Sequence, residues 1–237
     1  MNRMITSSGL VLLCVCLAGC GNQPNGAAAA KQLTPDQQKA QTQLASIMAQ
    51  AAQTAQSYKA MDNAALLSRL AEQSTMKKES FNSPAYRELR GRTDVDPAAL
   101  VAQVKKSPNA DGLLPLLLLR EQNQKAYQGL PAEMRAAVLT DALQKSTRFN
   151  SWGVPGVYLE DASRAMLETG KSTVPALRGM LKDTRPAPVF WSQTPAAQYN
   201  YRVCDYALFF LEQIQGNKDL KMPVAVADRD ALIQEIK

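Results

Sequence analysis

Residues 160–183 read EDASRAMLETGKSTVPALRGMLKD, and this stretch decides the fold. Its first half predicts a helix that ends at Gly170, because glycine most readily adopts the left-handed conformation that follows a helix. A second helix is predicted to begin at Ser172, and Asp183 closes the unit. No alternating strand pattern of useful length occurs elsewhere in the sequence. The chain is therefore predicted to be all-α and built from helical hairpins.

A third helix is predicted to follow, from Tyr201 to Gly216. This succession resembles the HEAT-like repeats of the PBS-lyase type, although a long insertion from Thr184 to Gln198 replaces their tight turn. The resemblance implies that residues 93–237 stack as a short α-solenoid, and such stacks present surfaces to partners. The matching positions are Gly170, Val174, Pro175, Ala176, Leu177, Leu181, Asp183, Arg202, Ala207, Leu208, Ile214 and Gly216.

Residues 34–92 are predicted to hold a helical hairpin and a basic segment. Thr34, Pro35 and Gln37 have the spacing of a capping box with proline at the first helical position. The helix that follows has a seam with alternating steps of four and three residues. This seam fits either packing on a neighbouring helix or a self-associating stalk. Its members are Leu44, Met48, Ala51, Ala55 and Tyr58.

The basic segment extends from Lys77 to Arg92, where five cations oppose only two acidic residues. One interpretation is a face that meets anionic headgroups or cell-wall polymer. The other, which we favour, is a solvated loop with scattered cations. Nucleic acid is not an expected partner, because the segment has no interleaved aromatic platform.

The first residues have the composition of an export signal. Arg3 supplies the positive charge, and an apolar run shorter than a membrane span precedes Leu17-Ala18-Gly19-Cys20. This stretch resembles a bacterial lipoprotein signal. The resemblance implies a signal peptide at 1–19, cleavage between Gly19 and Cys20, diacylglycerol on Cys20 and an acyl chain such as palmitate on the new amino terminus.

Residues 20–33 are rich in Gly, Asn and Ala and are predicted to form a flexible lipidated tether. Lipoproteins of Gram-negative bacteria remain at the inner membrane mainly through an aspartate directly after the cysteine. Gly21 and Asn22 stand there instead. We therefore expect the chain to face the periplasm from the outer membrane if its source is Gram-negative.

Residue usage excludes several classes of catalyst. The chain has no histidine, so the usual base of serine and cysteine nucleophiles and the commonest zinc ligand are both missing. Cys204 is the one cysteine outside the signal and its anchor, and its helical spacing with Leu208 and Leu211 predicts a buried structural residue. We expect no cofactor, no metal site and no assigned catalytic residue.

Two loops concentrate aromatic side chains, which binding surfaces use as anchors. The expected function is therefore a non-catalytic protein-binding or scaffold module with another envelope protein as its partner; alternatively, the two loops pack on each other and cover the core. A second hypothesis is a carboxylate-dependent hydrolase of cell-wall glycan, drawing on acids such as Asp205 or Glu160 and Asp161. The candidate binding residues are Phe149, Trp152, Tyr158, Phe190, Trp191, Tyr199 and Tyr201.

Overall fold

The computed structural model describes residues 34–73, 83–145, 151–187 and 199–236. These residues are mostly helical, with one short β-hairpin, so the all-α prediction is confirmed. The chain divides into two compact units, Met1–Ser46 and Ile47–Lys237. Within the described ranges, no helix combines the length and apolar character that crossing a membrane requires.

Eleven α-helices follow one another in the described residues. In order, they are α1 (Pro35–Lys59), α2 (Asn63–Gln73), α3 (Pro84–Gly91), α4 (Pro97–Lys106), α5 (Leu113–Gln122), α6 (Gln124–Gly129), α7 (Ala132–Lys145), α8 (Asp161–Thr169), α9 (Val174–Met180), α10 (Val203–Gln215) and α11 (Val226–Ile236). Two 3₁₀ turns, Ala110–Gly112 and Gly170–Thr173, precede α5 and α9, and strands β1 (Gly153–Val154) and β2 (Tyr158–Leu159) precede α8.

The helices begin where the capping residues predict. The Thr34 N–H donates to Gln37 Oε1 at 3.0 Å, which is one half of a capping box. Ser83 Oγ accepts from the backbone N–H three residues later at 3.2 Å, and Asp96 Oδ1 accepts from the N–H two residues later at 2.9 Å. Proline follows each of these caps, where a helix needs no N–H donor.

Helix α5 lies at the centre of the core. All seven residues from Leu113 to Leu119 are buried, and α5 packs against α3, α4, α6, α7 and α8. Pro115 lies in the first turn, where its missing N–H costs no helical hydrogen bond, so it does not interrupt the helix. The run from Leu113 to Leu119 is therefore part of the core.

The stretch that decides the fold forms α8, a 3₁₀ turn and α9. Gly170 ends α8 as predicted, but its φ of +64° and ψ of −131° are not the predicted left-handed conformation. Gly170–Thr173 form a 3₁₀ turn, and α9 begins at Val174. The predicted start at Ser172 was therefore two residues early. Helix α9 packs against α10, and α7 packs against α8. The stacking of such hairpins into a solenoid stays a prediction.

Candidate partner-binding surface

The β-hairpin before α8 was not predicted, because strands of two residues are too short to show an alternating pattern. Gly153 pairs with Leu159, and Val154 pairs with Tyr158. Gly153 has φ +77°, and a Cβ on it would lie 2.3 Å from the Tyr158 carbonyl oxygen. Only glycine fits this position, so the turn depends on it.

The tip of this hairpin is apolar and exposed. Val157 is 63% exposed and Tyr158 38%, although both are large hydrophobic side chains. A Cβ on Gly156 would lie 3.5 Å from the backbone nitrogen of Met222, so the turn approaches the segment before α11. Val224, two residues further along, is 53% exposed. We call Val157, Tyr158 and Val224 the apolar tip.

Two buried tyrosines hold the hairpin from below. The Tyr206 hydroxyl donates to the Gly153 carbonyl at 2.7 Å, and the Tyr201 hydroxyl donates to the Pro155 carbonyl at 3.2 Å. Burial raises the pKa of Tyr201 to about 12 and also raises the pKa of Tyr206. Both hydroxyls therefore stay protonated and remain donors at neutral pH, which fixes the hairpin backbone on the core.

Arg229 of α11 holds the segment that carries Val224. Its guanidinium donates to the carbonyls of Pro223 at 2.9 Å and Val224 at 2.6 Å, and it is completely buried. It also donates to the carbonyls of Tyr199 and Asn200 at 2.9 and 3.2 Å. One side chain thus ties together the two backbone segments that precede α10 and α11.

The buried charge of Arg229 is balanced by Asp205. Arg229 Nε lies 3.1 Å from Asp205 Oδ1, and both side chains are fully buried. Asp205 also accepts from the backbone N–H of Arg202 at 2.8 Å, which caps the start of α10. Arg202 donates in turn to Asp230 at 2.6 Å. The Asp205 carboxylate therefore pairs with two guanidinium groups, those of Arg202 and Arg229, and has a structural role.

The structure separates the predicted binding aromatics into different environments. Trp152 is fully buried, with its ring centroid 5.9 Å from that of Phe210, and Tyr201 is only 2% exposed. As folded, neither reaches a partner directly. Tyr199 is partly buried and stacks on Tyr201 at 5.4 Å, whereas Tyr158 is exposed. Phe149, Phe190 and Trp191 lie outside the described residues, as do Gly19 and Cys20.

The described ends of the long insertion after α9 pair with each other. The Ala187 N–H donates to the Tyr201 carbonyl, and the Val203 N–H donates to the Arg185 carbonyl, both at 3.0 Å. Since the Tyr201 hydroxyl bonds the hairpin, the two aromatic loops meet through this side chain. This contact between Tyr201 and Pro155 supports the alternative that the two loops pack on each other.

Of the candidate catalytic carboxylates, Asp161 and Asp205 are paired with arginine, and so is Glu168, which was not among the candidates. Asp161 lies 3.7 Å from Arg90 and 3.8 Å from Arg120. Arg120 also forms a bidentate pair with Glu168, and its hydrogen bond lowers the pKa of that carboxyl group. The general acid of a glycosidase needs a raised pKa, whereas the pKa of Glu168 is lowered. In the described part of the chain, no cluster of three acidic or cysteine ligands suits a metal ion.

The described half of the basic segment is largely committed to internal contacts. Arg90 Nε lies 2.8 Å from Glu121, and Arg92 donates to the Met61 carbonyl at 2.7 Å, close to the end of α1. Arg87 is exposed, and the two lysines 77 and 78 lie outside the described residues. These contacts argue against one continuous cationic face. The favoured solvated loop is also wrong for this half, because Pro84–Gly91 form α3 and Arg90 and Arg92 have partners.

Cys204 lies on α10 inside the same core. Its side chain is 1% exposed, and burial raises the pKa of the thiol to about 11. A thiol that stays protonated is a poor nucleophile at neutral pH. The predicted buried, structural environment of this cysteine is confirmed.

Comparisons with known proteins find no matching family model, no matching curated protein and no matching solved structure. The lipoprotein signal and the HEAT-like repeat accordingly rest on the residues quoted above.

Proposed function

We propose that the protein is an envelope lipoprotein that is anchored by lipid on Cys20 and binds another envelope protein through the apolar tip. The observation that supports this proposal is that the hairpin exposes apolar side chains while hydrogen bonds from the core hold its backbone in place. Val157 and Tyr158 face solvent, while buried tyrosine hydroxyls hold the backbone beneath them. A surface that is already ordered loses little conformational entropy on binding, so few side chains suffice as anchors.

The shape of the surface suggests the kind of partner. A hairpin turn that exposes a valine and a tyrosine fits a concave apolar groove in which both side chains become buried. Three side chains are too few for a whole interface, since a stable one buries about 800 Å² on each partner. The helices beside the hairpin are expected to supply the rim.

The anchor places this surface close to a membrane. Two or more acyl chains on Cys20 would give stable attachment, and residues 20–33, if they form the expected flexible tether, would give a root-mean-square reach of about 20 Å. We propose that the module faces the periplasm from the outer membrane and meets partners within that reach. Incorporation of labelled palmitate into the chain, abolished by Cys20→Ser, tests the anchor separately from binding.

A non-catalytic role is favoured over the glycan hydrolase. Asp205, the most buried acid near the aromatic loops, is shared by two guanidinium groups and caps α10. Asp161 and Glu168 are likewise paired with arginines. A hydrolase needs one carboxyl group whose pKa is raised, whereas the hydrogen bond from Arg120 lowers the pKa of Glu168, and Asp205 and Asp161 are already used in ion pairs with arginine.

Site-specific photo-crosslinking in intact cells tests the binding surface. A photoreactive phenylalanine analogue replaces Tyr158 in one variant and Lys171, an exposed residue of the 3₁₀ turn before α9, in the control. The proposal predicts a discrete adduct with an envelope protein from position 158 and no such adduct from position 171. The same adduct from both positions, or from neither, would contradict the assignment of the surface.

A further inference from the structure

Helix α1 exposes apolar side chains that nothing in the described structure covers. None of its 25 residues is buried. Leu44 is 57% exposed, Ile47 62% and Met48 64%. A helix that is surrounded by water is normally polar all round, so an apolar strip on such a helix signals a missing partner.

The spacing of the strip indicates what kind of element pairs with it. Leu44, Met48, Ala51 and Ala55 recur at steps of four, three and four, which is the a/d period of a coiled coil. The element that fits such a seam is another helix with the same period. The two alanines are small enough to allow close approach of the helix axes, while Leu44 and Met48 supply the larger side chains.

The charges of α1 favour an identical helix as the partner. Its only ionised side chains are Asp36, Lys39 and Lys59, near its two ends. The positions that flank the seam in its middle are Ala45, Ile47, Ala52 and Thr54. Two copies can therefore lie side by side without the like-charge repulsion that flanking residues use to exclude self-pairing.

We propose that the seam of α1 pairs with the same seam of a second copy of this chain, in parallel and in register. The orientation rests on the proposed lipid anchor, because two copies in one leaflet have both N-termini at the same height. The anchor also raises their effective concentration. This matters because the seam covers only about two heptads, fewer than the three or four of a self-sufficient coiled coil.

Cysteine crosslinking of the full chain in cells tests the proposal. Leu44→Cys and Ala55→Cys each place a thiol on the seam. Gln43→Cys and Gln56→Cys are the matched controls, one residue away on the exposed face. Under mild oxidation, both seam variants are expected to give a disulfide-linked dimer, at several times the yield of their controls. The unsubstituted chain reports any background from the native cysteines.

The two seam positions also distinguish the orientation. They are eleven residues apart, which is about 16 Å along a helix. An antiparallel pair that brought one of them opposite its own copy would separate the other pair by about 33 Å. Efficient crosslinking at only one position would therefore overturn the parallel register, and equal yields at seam and control positions would overturn the seam itself.

Two further experiments test the pairing of the seam, and the second does so without the proposed lipid anchor. Met48→Glu, added to Ala55→Cys, is expected to remove the dimer by placing two carboxylates in the seam. The same cysteine variants of residues 21–237, bound by an N-terminal hexahistidine to nickel-chelating vesicles, supply the orientation without Cys20. Dimer on these vesicles upholds the seam even if Cys20 carries no lipid. Its absence there, with the helical circular dichroism unchanged, contradicts the seam whatever the state of Cys20.

Discussion

Arg229 and Asp205 form an ion pair at 3.1 Å in which neither side chain is exposed to solvent. The pair joins the last helix, α11, to the start of α10. Four further carbonyl acceptors surround the guanidinium, so the positive charge is well solvated by the protein. Breaking a buried pair from one side leaves an uncompensated charge, which typically costs about 3–5 kcal/mol.

We expect Asp205→Asn to lower the free energy of unfolding by about this amount. The matched control is Asp230→Asn. Arg202 pairs with both Asp205 and Asp230, but the Asp230 side chain is 52% exposed. Exposed pairs contribute roughly 0–1 kcal/mol. Urea titration followed by circular dichroism measures both, and a loss at position 230 equal to that at 205 would show that burial of the pair is unimportant.

Trp152 and Tyr158 are expected to respond in opposite ways to truncation. Trp152→Ala empties a fully buried site against Phe210 and should destabilise the fold by about 3–5 kcal/mol. Tyr158→Ala removes a ring that is 38% exposed and should destabilise the fold much less than Trp152→Ala does. Thermal and urea unfolding measure the loss of stability in each variant. A small effect of Trp152→Ala would mean that this side chain does not support the core.

The two glycines of the hairpin give a matched pair for backbone strain. Both have φ +77°, so alanine at either position costs about 1–2 kcal/mol for the left-handed conformation. At Gly153 the new Cβ would also lie 2.3 Å from the Tyr158 carbonyl oxygen, whereas at Gly156 the nearest contact is an ordinary 3.5 Å. Gly153→Ala should therefore be clearly the more destabilising in urea unfolding. Equal losses would refute this account of the turn.

The pair between Arg120 and Glu168 predicts a pH dependence. Its hydrogen bond lowers the pKa of Glu168 from an ordinary 4.5, so the unfolded chain binds the proton more readily than the folded one. The stabilisation is complete above pH 4.5 and is lost as the pH falls through the lower, folded-state pKa. Glu168→Gln should flatten the decline of unfolding free energy below about pH 5. An identical decline in both proteins would contradict this contribution.

The sequence predicted the features that depend on local contacts. Helix starts at Thr34, Ser83 and Asp96 follow from side chains that bond N–H groups two or three residues away. The apolar run from Leu113 and the end of α8 at Gly170 are also local signals. Each is encoded within a few residues, so each is readable from the chain alone.

The candidate surface depends on contacts between residues that are distant in the sequence, and such contacts cannot be predicted from local sequence patterns. Arg229 bonds carbonyls about thirty residues away, and a buried arginine runs against the usual exposure of this residue. Whether an aromatic in a loop faces inward, as Trp152 does, or outward, as Tyr158 does, depends on which core lies beneath it. Val157 and Val224 gave no signal, since single valines beside turns are common.

Binding of an envelope protein to the apolar tip is tested by an equilibrium affinity. The partner captured from position 158 is purified and titrated against the wild-type protein, the double variant Val157→Ser/Tyr158→Ser and the control Lys171→Ser in the 3₁₀ turn before α9. The account predicts a Kd at least about tenfold weaker for the double variant, or about 1.4 kcal/mol, with unchanged unfolding stability and a wild-type Kd for the control. A double variant that binds as tightly as the wild type would contradict it.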